Sequence, residues 1–112
     1  MQEYFSTETA IYFETEPFSR ILSLIGDGQE NAIHKADLIR CTGLPDRELR
    51  KTIEFLRRKG IVIISDNSGY YFPENEAELS HYILQEKSRA ESVLYTLRSA
   101  KRLLRHLEND ND

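Results

Sequence analysis

Apolar positions along the chain change their period several times, and each change marks an element. Phe18, Ile21, Leu22 and Ile25 follow helical spacing after Pro17, until Gly26-Asp27-Gly28 stops them, as glycine does just past a helix end. "NAIHKADLIRCTGL" has a short apolar start at Ala32 and Ile33, then a helix of about two turns with Leu38 and Ile39 inward. Thr42-Gly43 reads as a tight turn, because glycine takes the left-handed conformation cheaply. Pro45 and Asp46 suit the first turn of the next helix, where proline loses no needed donor and an acid meets the positive helix end. In that helix Leu49, Ile53 and Leu56 form a stripe at spacings of four and three, while Arg47, Arg50, Lys51, Glu54 and Arg57 fall largely on the other face. After Gly60 the character becomes strand-like: "IVIIS" and "GYYF" flank the turn-forming "DNS". A two-stranded hairpin is not stable by itself, so it must pack on the helices. Alternation in it places one of Tyr70 and Tyr71 inward and the other outward, with Phe72 in the core.

From Glu74 to Glu108 there is neither proline nor glycine. A helix over that stretch would be about 50 Å long, more than so small a domain can cover. Leu79, Ile83, Glu86, Ala90, Val93, Leu97, Ala100, Leu104 and Leu107 recur at alternating spacings of four and three, a heptad seam broken only by Glu86. The seam either joins two copies of the chain or folds back onto the domain, and its length favours the homodimer. The tail "ENDND" reads as frayed. Residues 1–16, with imperfect alternation, read as an arm, a strand or a disordered lead-in. The organisation expected is α+β, mainly α: an arm (1–16), a helix-and-hairpin domain (17–73), a long C-terminal dimerisation helix (74–108) and a tail (109–112).

Charge sharpens this picture. The net charge of −4 conceals −5 over residues 1–30, +3 over 31–73 and −2 over 74–112. Arg47, Arg50, Lys51, Arg57, Arg58 and Lys59 fall within 13 residues of the middle block. Focused positive charge, more than the total, governs phosphate binding.

Two helices, a tight turn between the second and a basic third, and a hairpin form the order of a winged helix-turn-helix. The turn sets the following helix proud of the surface, where it fits the major groove of DNA. "IHKADLIRCTGLPDRELRKTIEFLRRKGIVIISDNSGYYF" resembles the winged-helix domain of the biotin-operon repressor type, and is similar to small winged-helix proteins of bacteria and their phages. The resemblance covers roughly residues 18–73 and implies no ligase or biotin chemistry. It implies a sequence-specific double-stranded DNA-binding protein, either a transcriptional regulator or a replication-initiation-type factor, with residues 45–59 in the major groove. The candidate DNA contacts are Thr42, Asp46, Arg47, Arg50, Lys51, Glu54, Arg57 and Arg58, with Asn67, Ser68 and Tyr70 on the wing. Asp66 makes the wing acidic, so the helix carries most of the grip. Dimerisation falls to Leu79, Ile83, Ala90, Val93, Leu97, Ala100, Leu104 and Leu107.

Against these readings stand plainer ones. The helix cations also suit a solvated face laced with pairs such as Arg50–Glu54. A protein-interaction adaptor on the same scaffold is the alternative function, since fold does not dictate function and the flanks are acidic. Single-stranded binding needs a larger aromatic platform than Tyr70, Tyr71 and Phe72 supply. No enzyme is expected: His34, His81 and His106 share no ligand spacing, and the lone Cys41, read as half-buried, has no nearby histidine. No cofactor or metal is expected. One cysteine and no basic-then-apolar leader fit the cytoplasm, and no apolar run is long enough for a membrane span.

Overall fold

A computed structural model describes residues 5–110. It is mainly helical, with one antiparallel pair of strands and a long last helix: α1 (Phe18–Leu24), α2 (Lys35–Thr42), α3 (Asp46–Arg58), β1 (Ile64–Asp66), β2 (Gly69–Tyr71) and α4 (Glu76–Asp110). The described chain divides into two compact units, one through Leu79 and one from Ser80.

In the first unit, Ile21, Leu22, Leu38, Leu49, Ile53, Leu56, Ile61, Ile63, Tyr70 and Phe72 form one buried core. α1, α2 and α3 each contribute residues from the apolar stripe that their spacing predicts, with Ile39 only partly buried beside Leu38. Ile25 ends α1 by turning extended. The chain then runs beside β2: Gly28 N–H donates to the Phe72 carbonyl at 2.8 Å, and Phe72 N–H donates to that of Gly26 at 2.9 Å. Ile33 and Tyr70 exchange backbone bonds of 3.0 and 2.8 Å. β2 is therefore flanked by β1 on one side, with Ile64 opposite Tyr71, and by the segment before α2 on the other. At Gly69, φ is +117° and a Cβ would overlap the Ile33 carbonyl, so only glycine fits.

The expected first strand is shorter than "IVIIS". Ile61 and Ile63 are fully buried in the core, and the ladder begins only at Ile64. Both Tyr70 and Tyr71 are buried, which corrects the expectation that one ring is exposed. Tyr70 joins the core, and the Tyr71 hydroxyl donates to Asp66 Oδ2 at 2.7 Å.

Within the described residues the N-terminal segment is neither strand nor coil. Thr7–Phe13 winds as 3₁₀ turns, with Thr9 buried and its hydroxyl donating to the Ser6 carbonyl at 2.7 Å. Its rings complete the aromatic packing: Tyr12 meets Phe18 and Phe55 edge-on at 5.4 and 5.7 Å, and Phe5 meets Phe72 at 6.0 Å. Such pairs contribute about 0.5–1.5 kcal/mol beyond the area they bury.

The start of α4 is fastened within the first unit. Asn75 Oδ1 accepts the Glu78 N–H at 2.9 Å, and the Glu78 carboxylate accepts the backbone N–H groups of Glu74 and Gln29, each at 2.9 Å. Asn75 thus caps the helix through its side chain, while Glu78 holds the residue before the cap and adds a long-range tie to Gln29. In the second unit, helix continues through Asn109 and Asp110, where a frayed tail was expected; residues 111–112 lie outside the described ones. No residue of α4 is buried, and Val93, Leu97, Leu104 and Leu107 are 57, 42, 57 and 52 % exposed.

Candidate nucleic-acid interface

The turn between α2 and α3 is closed from within. The Thr42 hydroxyl donates to the Leu38 carbonyl at 2.7 Å and accepts the Leu44 N–H at 3.3 Å. Thr42 thus organises the turn, and its proton is committed there. Gly43 adopts φ +74° with open space around its Cα. α3 then starts at Asp46, whose Oδ1 faces the Lys35 ammonium at 3.2 Å while Oδ2 faces Arg50 at 3.5 Å. That Oδ1 is shielded from solvent and completes no hydrogen-bond geometry, although the side chain as a whole is half-exposed. Asp46 serves as a clamp from α3 to the first residue of α2.

Along α3, 100° per residue places Arg47, Arg50, Lys51, Glu54 and Arg58 within about 100° of arc, opposite Leu49, Ile53 and Leu56. All five are exposed, and the three opposite them are buried. Arg58 donates to Glu54 at 2.9 Å, so the expected Arg50–Glu54 pair is replaced by Asp46–Arg50 and Glu54–Arg58. Exposed pairs of this kind contribute only about 0.2–1 kcal/mol and are readily exchanged for another anion. Arg47 and Lys51 form no ion pair among the described residues.

Arg57 lies off this stripe. Its Nε donates to the Ile63 carbonyl at 2.8 Å and its Nη2 to Ser65 Oγ at 3.2 Å. The guanidinium expected on phosphate instead ties α3 to the hairpin.

At the hairpin, Asn67 is exposed at the tip, while Ser68 is half-buried and its N–H donates to Asp66 Oδ1 at 2.8 Å. Gln29 Nε2 reaches Asp66 Oδ2 at 3.2 Å. Burial pushes the Asp66 carboxyl up, but bonds from Tyr71, Ser68 and Gln29 outweigh it and hold the group below its ordinary value. The Tyr71 hydroxyl moves well above the ordinary phenol range, first through burial and then through the bond to Asp66. Asp66, an acidic blemish in the sequence, is the organiser of the turn. Tyr70, buried, is not a surface contact.

Between α2 and the hairpin lies an open recess of about 320 Å³, bordered by His34, Lys35, Ser65, Asp66, Asn67 and Tyr70. Because Lys35 also reaches Asp46, one surface runs from the start of α3 to the hairpin tip. Lys35, which the sequence reading did not single out, borders this surface as the first residue of the helix before the turn. Cys41 is exposed on α2, not half-buried. Among the described residues no histidine, cysteine and acid cluster could hold a metal, and no helix is long and apolar enough to cross a membrane. Searches of protein-family models, curated proteins and solved structures return no match to this chain.

Proposed function

We propose that the chain is a sequence-specific double-stranded DNA-binding protein of the winged helix-turn-helix type, a transcriptional regulator or replication-initiation-type factor. The observation that carries the reading is the outer face of α3: four cations and one acid in a single stripe, with Arg47 and Lys51 free of ion pairs among the described residues. The N-terminal part of α3 enters the major groove, where arginine pairs with guanine edges and lysine with phosphate. Arg50 and Arg58 exchange their exposed carboxylate partners for phosphates. The hairpin serves as the wing, offering Asn67 and backbone amides rather than charge. α4 pairs with a second copy through its apolar seam, which doubles the phosphates neutralised and matches a two-fold related site.

The internal pairing of Arg50 and Arg58 favours one other reading, an adaptor that binds a protein through the same face. Duplex binding measured across salt concentrations separates the two. Affinity for DNA should fall linearly with the logarithm of salt, and Arg47→Ala/Lys51→Ala should reduce the slope by about 2 per protomer. A slope that the double substitution leaves unchanged removes α3 from the interface.

A further inference from the structure

We propose that α4 pairs with α4 of a second copy antiparallel, about a two-fold axis passing between Arg98 and Ser99. The inference rests on the reading that α4 is the dimerisation element, and it specifies the partner's direction and register. The seam from Ala90 to Leu107 is exposed at every position and unpartnered among the described residues. Its side chains differ greatly in size, so the pairing direction decides how they pack.

In the proposed register every layer sets a large residue against a smaller one. Ala90 faces the partner's Leu107, Val93 faces the partner's Leu104, and Leu97 faces the partner's Ala100. Symmetry repeats these three layers on the other side of the axis. Alternating large and small residues across facing positions is what fills a helix interface without voids.

The flanking charges agree with the sizes. Lys87 falls beside the partner's Glu108, and Arg89 beside the partner's Asp110, giving four opposite-sign pairs per dimer. Glu86, the one charged residue in the seam, lies at the edge of the overlap and keeps Arg89 as its intrahelical partner at 3.1 Å. Leu79 and Ile83 lie beyond the overlap.

A parallel, in-register dimer loses all three matches. It buries Glu86 against the partner's Glu86 and sets alanine on alanine at 90 and 100. Lys87 then adjoins the partner's Tyr82, and Glu108 the partner's Leu103. An antiparallel dimer shifted by one heptad toward the N-terminus, centred on Tyr95, puts Glu86 against the partner's Leu104 and Lys87 against the partner's Lys101. A buried, unpaired carboxylate is costly in either arrangement.

Distances between spin labels on the full chain test this. Single cysteines replace the exposed Ser80 or Ser99 in a Cys41→Ser background. At 1.5 Å rise per residue, labels at position 80 should lie about 55 Å apart, and labels at position 99 within about 25 Å. Short distances at both positions establish the parallel dimer and overturn the proposal. About 45 Å at position 80 marks the register centred on Tyr95 and overturns it as well. A sedimentation equilibrium of monomer, with no intermolecular distance, removes dimerisation itself; duplex binding by α3 is then judged by its own salt titration.

Discussion

Arg57→Ala separates two roles for one cation. In the structure its guanidinium spans from α3 to the Ile63 carbonyl at 2.8 Å and to Ser65 Oγ at 3.2 Å, and the Ile63 side chain beneath is fully buried. A hydrogen bond from a charged donor contributes about 1.5–3 kcal/mol, and the longer, exposed bond to Ser65 adds little. Truncation should therefore cost about 2 kcal/mol of folding stability. With a urea dependence of about 1.5 kcal/mol per molar for a unit of this size, the midpoint should fall by more than about 1 M. Near-ultraviolet circular dichroism of the buried tyrosines follows the first unit without the dominant helical signal of α4. Arg58→Ala is the control: its guanidinium meets only the exposed Glu54 carboxylate, so its loss should shift stability by under about 1 kcal/mol. Equal midpoints for the two variants would refute the tie between α3 and the hairpin, and would return Arg57 to the pool of free cations.

Two further perturbations probe the hairpin. Gly69→Ala puts a Cβ into the Ile33 carbonyl at φ +117°, so unfolding should become easier by more than about 2 kcal/mol, against about 1 kcal/mol for Gly43→Ala, where space is open; equal losses would show that the Ile33–Tyr70 bridge yields freely. Asp66 has a lowered folded pKa, so its contribution is complete above the ordinary carboxylate value near 4 and is lost as pH falls through the lower folded value. Asp66→Asn should flatten the acid limb of a stability–pH curve, and an unchanged limb would mean that the carboxylate does not organise the turn.

Much of the first unit was legible because local pattern and tertiary role coincide. Leu49, Ile53 and Leu56 face the core as their spacing predicts, and Gly43 and Gly60 close α2 and α3 where glycine was expected. The seam of α4 is likewise visible as a period. What escaped depends on partners distant in the chain. Tyr12 and Phe5 sit in a segment without periodicity because their order comes from Phe18, Phe55 and Phe72. Asp66 looked like repulsion toward phosphate until Gln29 and Tyr71 arrived on its carboxylate. Arg57 differs from Arg58 by one helical step, enough to turn it from the open stripe toward Ile63. Glu78 shows the intermediate case: the N-x-x-E spacing with Asn75 was readable, whereas its bond to Gln29 was not.

Recognition of duplex DNA by the open face of α3 is what the proposed function rests on. The most direct test titrates the full chain and an Arg47→Ala/Arg50→Ala/Lys51→Ala variant against a pooled library of random duplexes at about 50 and 200 mM salt. The wild type should enrich a two-fold symmetric site, and the variant should not. No enrichment, with weak binding that the triple substitution leaves unchanged, would contradict the proposed function and assign the α3 face to a protein partner.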